Sequence, residues 1–329
     1  MVELTDGQYF VRVIADNVSK HGHRLRTIVS RFPRIILSEV NTHRDRARNA
    51  ASSRAIPFPV MISEIEESPF VPLTWGLEKK GMQQGDEIPV HMRAYANNLW
   101  LASMRSQAHF AKIFHCLGKH FVADHPDLAQ PGDEDVKVHK SICNRLVEPW
   151  MWCTQVMTAT EWQNFFRLRC HRDAEQHFQK IAGMIRDAFS MSIPEPYGSR
   201  YNTFKTIYGA DQRQSEDQFH LPFIQPDEIE KIHAGQLDLH EMLKVCTARC
   251  ARVSYLTHDG KRDMGKDIDL FNTLVQGSGF GHWSPHEHVA QASEIKGKQS
   301  GPFVGWDQYR KYFPNECALE EWQQCSLGS

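Results

Sequence analysis

The stretch Phe32-Pro-Arg-Ile-Ile-Leu-Ser-Glu-Val-Asn-Thr-His-Arg-Asp-Arg-Ala-Arg-Asn-Ala-Ala-Ser-Ser-Arg-Ala-Ile-Pro57 changes character halfway along. Ile35, Ile36, Leu37 and Val40 follow Pro33 as a short apolar, β-branched run, which predicts a buried strand entered from a proline. Then His43, Arg44, Arg46, Arg48 and Arg54 are interleaved with Thr42, Asn49, Ser52 and Ser53. Guanidinium forks beside hydroxyl and amide donors are what a phosphate or pyrophosphate requires. Composition alone equally allows a solvated helix face paired with outside acids. The small residues Ala47, Ala50, Ala51, Ser52 and Ser53 favour the anion site, because they let backbone approach a ligand and a solvated charge run has no use for them.

The whole chain sets the scale of that ligand. It has 329 residues, 41% hydrophobic and 24% charged, with a formal net charge of −2. This is a globular composition with chain enough for one large or two modest cores. A near-neutral total argues against nucleic-acid coating and points the arginines at a small anion. The cysteines at 116, 143, 153, 170, 246, 250, 317 and 325 lack zinc-ribbon spacing, and no signal peptide or membrane span is read. Reduced thiols in a cytoplasmic protein are expected, with Cys246 and Cys250 packed in the core.

Outward from the arginine cluster, Tyr9 to Ala15 and Thr27 to Val40 read as two strands joined by a turn. Trp75 to Pro89 is a glycine-rich loop, and Met92 to Val122 carries a helical stripe. A second helical pattern opens near Val138. Thr158 with Glu161 has the form of a capping box opening a long helix to Ser190, on which Arg169 sits between apolar positions and needs a fixed partner. Residues 191–244 read as a connector with one short helix at Pro226 to Ile232, and Ile268 to Val275 as another helix. The division expected is 1–198, a connector at 199–244, and 245–329.

His43-Arg44, seven residues, Ser52 and then Arg54 resemble the signature of the flavin-dependent thymidylate synthases, with Thr42 in place of the first arginine. Asn164-Phe-Phe-Arg-Leu-Arg169 followed by Ala174 resembles that family's C-terminal helix, with Glu175 where a glutamine is usual. Ala251-Arg-Val-Ser254-Tyr255 and Gly281-His-Trp-Ser-Pro-His-Glu-His288 resemble its opening block, which here follows the other two, so the order is permuted. The resemblance implies an α+β fold with a mixed sheet and long helices. It implies FAD held by His43, Arg44, Asn164, Ser254, His282, Ser284 and Glu287, and dUMP held by Ser52, Ser53, Arg54, Arg145 and Arg169.

Arg169 and Ser52 would lie nearest the chemistry, Ser52 as a binder, since no Ser-His-acid arrangement activates it. NADPH and methylenetetrahydrofolate would be co-substrates, and a homotetramer with shared active sites is implied. Ala50 stands where the family often has a glutamate, which leaves open a related pyrimidine C5 hydroxymethylating enzyme or a non-catalytic flavin- or nucleotide-binding protein. Read without the family, His282, His286, His288 and Glu287 are ligand types for zinc or iron, or braces for a turn made by Pro285.

Overall fold

The computed structural model describes residues 2–208, 213–253, 263–276 and 281–313. Strands β1 (Glu3–Asp6), β2 (Tyr9–Val18) and β3 (Arg24–Pro33) form an antiparallel meander, so the hairpin expected from the two apolar runs is present. The strand expected after Pro33 is not. Pro33 ends β3; Arg34–Ile36 make a 3₁₀ turn and Leu37–Val40 the short helix α1. Ile36 and Val40 are buried while Ile35 is 41% exposed, a four-residue helical spacing that the run of branched residues concealed.

Strand β4 (Ala47–Ala50) is the edge of the sheet, followed by helices α2 (Phe58–Glu67), α3 (Val90–His115), α4 (Leu117–Asp124) and α5 (Lys140–Cys143). The helical stripe from Met92 is thus α3 and α4, separated at Cys116. A 3₁₀ segment, Asn144–Trp150, leads into β5 (Trp152–Ala159), and the sheet runs β1-β2-β3-β5-β4, all antiparallel. Next come α6 (Gln163–Arg169) and α7 (Gln176–Met191).

The single helix expected from Thr158 is corrected twice. Thr158 lies buried at the end of β5, opposite Thr27, and the working cap is Glu175, whose carboxylate accepts from the Phe178 amide at 2.8 Å. Pairing in the sheet overrides the local capping pattern. One face of β2, β3 and β5 (Val11, Val13, Ile28, Phe32, Cys153, Met157) packs with α2 and α7 into the main core.

The stretch read as a connector holds β6 (Thr203–Tyr208), β7 (Arg213–His220), α8 (Pro226–His233) and the start of α9 (Leu239–Arg252). Arg213-Gln-Ser-Glu-Asp-Gln lacks β-branched residues, so β7 gave no strand signal; its far end is buried by tertiary packing. Helix α10 (Met264–Gln276) contains the helix expected at Ile268 to Val275. Short strands β8 (Ala290–Ala292), β9 (Gln299–Ser300), β10 (Phe303–Val304) and β11 (Trp306–Gln308) follow, and β11-β8-β7-β6 form a second sheet. Arg249 ties α9 to its neighbours: it pairs with Glu228 at 2.6 Å and Asp267 at 3.1 Å, all three side chains buried. The second half covers the other face of the first sheet, with Val253 on Val29 and Val156, and Ala290, Phe303 and Trp306 beside Leu25 and Ala47.

Candidate functional site around the edge strand

The turn before β4 is built on His43. Its ring is buried, edge-on to Phe165 at 5.2 Å and Phe178 at 5.9 Å, and its Nε2 accepts from Arg169 Nε at 2.8 Å. Burial, then the charges of Arg46 and Arg169, lower its pKa to about 4. Neutral His43 with an occupied Nε2 carries its proton on Nδ1. The Arg169 guanidinium lies over Phe178 at 4.5 Å, with Nη2 3.4 Å from Thr42 Oγ1, so it has the fixed partner its position called for. Thr42, which removes one charge from the motif, thereby receives another arginine from 127 residues away.

The remaining arginines have different duties. Arg46 is sandwiched under Trp162 and Phe165 at 4.7 and 4.3 Å, and burial lowers its pKa to about 10. Arg48 donates to the carbonyl of His43 at 3.0 Å and to that of Asn41, bracing the turn. Arg44 is exposed. Within one motif, then, one arginine is packed on rings, one braces the backbone and one is left to solvent.

Beyond β4, Ser52 turns the chain, its carbonyl accepting from the amides of Ala55 at 2.9 Å and Ile56 at 3.2 Å. Asn144 Nδ2 clamps that turn through the carbonyls of Ser53 at 2.6 Å and Ile56 at 3.0 Å. Ser53 is buried and its hydroxyl donates to Glu148. Arg54 points out, exposed, bonded to none of the described residues. Beside this turn lies a cleft of about 470 Å³ lined by Arg34, Ile35, Leu37, Ser38, Asn41, Arg145, Glu148 and Pro149. Arg145 is exposed and unpaired among the described residues; Arg34 is held by the Ala51 carbonyl at 2.9 Å and Glu148 at 3.1 Å. Sequence reading missed Arg34 and Glu148 as site residues, although each is adjacent to a motif already singled out.

The third motif folds as the 3₁₀ turn Ser284–His288, which packs against β4 and α9. Glu287 pairs with Arg310, and its charge reaches Arg48, where it opposes the lowering of the pKa by burial. His282 and Ser284 are exposed beside it. Asn164, on α6, is also exposed, and Ser254 lies outside the described residues. His286 and His288 are fully buried, His286 among the rings of Phe271, Trp283 and Tyr309. His288 Nδ1 meets Thr158 Oγ1, Thr158 meets Thr27 and Thr27 meets His220 Nε2, each at 2.7 Å, and His220 Nδ1 ends on Asn17 Oδ1 at 2.6 Å. With the Asn17 oxygen as acceptor, the bonds run in one direction and both imidazoles carry their proton on Nδ1. Among the described residues no group of three or more His, Cys, Asp or Glu is placed to hold a metal.

FAD would present a pyrophosphate; exposed His282 and Ser284 on a turn whose acid is paired with Arg310, and exposed Arg44, whose charge like that of Glu287 reaches Arg48, suit such an anion.

No family model matches the sequence, and no curated protein matches it. Among solved structures there is a coarse likeness to a UMP/dUMP methylase from Streptomyces cacaoi bound with 5-Br UMP, at 14% identity and TM-score 0.38, covering 56% of this chain and 90% of that one. Another is to Thymidylate Synthase X from Helicobacter pylori with FAD and dUMP, at 12% identity and TM-score 0.32, covering 50% and 67%. The α+β character of the chain rests on its own elements. No helix among the described residues is long and apolar enough to cross a membrane.

Proposed function

We propose that this protein is a flavin-dependent thymidylate synthase that methylates dUMP at C5, using methylenetetrahydrofolate and NADPH as co-substrates. One observation carries the reading: motif stretches far apart in sequence, and permuted relative to the family they resemble, meet at β4. His43 and Arg169 are bonded across 126 residues, and the Ser284–His288 turn packs on the same strand with Glu287 acting on Arg48.

Bound FAD would supply hydride chemistry there, held by Arg44, His282, Ser284 and Glu287. Ser52, Arg54 and Arg145 would fix the nucleotide phosphate at the cleft, and Ser53, expected there from the motif, instead gives its one hydroxyl proton to Glu148. Arg169 would polarise a uracil carbonyl, since Nε and Nη2 are used to orient it and Nη1 bonds none of the described residues. Charge developing on the ring is then met by a donor already in place, which avoids reorganisation during reaction. His43 would act mainly as the support that aims Arg169.

A homotetramer would complete shared sites. The outer face of α3, with Met92, Tyr95, Leu99, Phe110 and Phe114 all exposed, is the surface we assign to self-association. Light scattering that returned a 38.0 kDa monomer from active enzyme would remove that assignment.

The decisive experiment is mass analysis of the product from dUMP and methylenetetrahydrofolate. A gain of a methyl group is expected; a hydroxymethyl group would place the protein with C5 hydroxymethylating enzymes. A yellow protein that bleaches with NADPH yet releases no C5 tritium from labelled dUMP would be a non-catalytic binding protein.

A further inference from the structure

The cleft beside the Ser52–Ile56 turn is rich in donors. Arg34 and Arg145 bring guanidinium groups, Ser38 a hydroxyl and Asn41 an amide. Glu148 is the single acid among its described lining residues, and an ionised carboxylate can only accept hydrogen bonds. Beyond holding Arg34 and Ser53, such an acid can serve only a hydrogen-bond donor on the ligand, since carboxylate and phosphate repel.

Among the described residues, both bonds to the Glu148 carboxylate fall on the same oxygen. Oε1 accepts from Arg34 Nη2 at 3.1 Å and from the Ser53 hydroxyl. Oε2 accepts from none of the described residues, and the side chain keeps 27% of its surface exposed at the cleft wall. One oxygen is therefore anchored and the other presented. The anchor is stiff, because Arg34 is itself held by the Ala51 carbonyl at 2.9 Å.

Position along the chain selects the donor that Oε2 meets. Arg145 and Glu148 are three residues apart on a 3₁₀ segment, where side chains three apart eclipse and the axial rise is roughly 6 Å. A carboxylate one turn from a phosphate-seeking guanidinium faces the group next along a nucleoside monophosphate, which is the sugar; the base lies a further ring away. We propose that Glu148 reads the sugar of the bound nucleotide, with Oε2 accepting from its 3′-hydroxyl. The assignment rests on the nucleotide reading given above and adds to it the residue that tells a 3′-hydroxyl nucleotide from one lacking it.

Calorimetric titration of purified protein with dUMP, 2′,3′-dideoxy-UMP and N3-methyl-dUMP tests this, in wild type, Glu148→Ala and Glu148→Gln, without any activity measurement. Wild type is expected to bind dUMP about ten- to hundredfold more tightly than the dideoxy analogue, the worth of a hydrogen bond to a charged group. In Glu148→Ala that gap should close to within about twofold. Glu148→Gln keeps a carbonyl for Ser53 and Arg34 and should narrow the gap without unfolding; it decides the matter if the alanine variant does not fold. Equal weakening of all three ligands would make Glu148 a brace only and overturn the proposal. A gap against N3-methyl-dUMP that Glu148→Ala erases would move Oε2 to the base, which also overturns it. Wild-type protein that binds none of the three would overturn the nucleotide reading itself.

Discussion

Replacing Arg54 by alanine separates a ligand-binding arginine from a surface one. The turn that carries it is held by backbone and by Asn144: the Ser52 carbonyl takes two amides, and Asn144 Nδ2 takes the carbonyls of Ser53 at 2.6 Å and Ile56 at 3.0 Å. None of these bonds involves the Arg54 side chain, which is exposed and unpaired among the described residues. Arg54→Ala should therefore alter folding stability by less than about 0.5 kcal/mol. A guanidinium that meets phosphate only when the nucleotide is bound is worth about 1.5 to 3 kcal/mol, a ten- to hundredfold loss in dUMP affinity. The assay is titration of dUMP into the FAD-loaded variant, with urea unfolding alongside. Arg54→Lys should recover part of the affinity, because an ammonium cannot make the fork. Unchanged dUMP affinity would refute the assignment, and loss of FAD would move Arg54 to the cofactor side.

Arg169→Ala should keep flavin absorbance while C5 tritium release from labelled dUMP falls about 10²- to 10³-fold, the usual worth of one preorganised donor; retained turnover would show that Arg169 only packs on His43 and Phe178. Thr158→Val deletes the hydroxyl shared by Thr27 and His288, both buried, and should cost about 1 to 3 kcal/mol in urea unfolding; a cost near zero would mean the hydrogen-bonded chain contributes nothing. Burial holds His220 and His288 neutral, each with a pKa of about 3, and His43 and His286 with pKa values of about 4. Below a pH of about 6.5 the unfolded chain takes up protons that the folded chain refuses, so stability is complete above that pH and declines as the pH drops toward 4. The loss steepens as more of these rings are protonated in the unfolded chain only, and a urea midpoint that stays level from pH 7 to 4.5 would contradict their burial.

Local signals succeeded where one element decides its own conformation. The turn between β2 and β3, the helical stripe of α3 and the proline-started α8 were legible because hydrophobic period and Gly or Pro punctuation act over a few residues. They failed where packing from elsewhere outvotes propensity. Thr158 and Glu161 spell a capping box, yet Thr158 is committed to the sheet by Thr27 and to the turn by His288. The polar β7 has no strand composition, but its last residues are buried by the far half of the chain.

The candidate site divides along the same line. The candidates themselves, the arginine and hydroxyl cluster from His43 to Arg54, Arg145, Arg169 and the His282–Glu287 turn, were nameable from the sequence, because side-chain chemistry is local and motif spacing survives a change of order. What each of them touches came only from packing. Arg169 is aimed by His43, Arg46 is spent between two aromatic rings, Arg48 braces the turn, and Glu148 joins the cleft through Arg34 and Ser53. Such roles depend on which group stands opposite across a hundred or more residues, and that is set by how β4 is laid against β5 and the Ser284–His288 turn against β4.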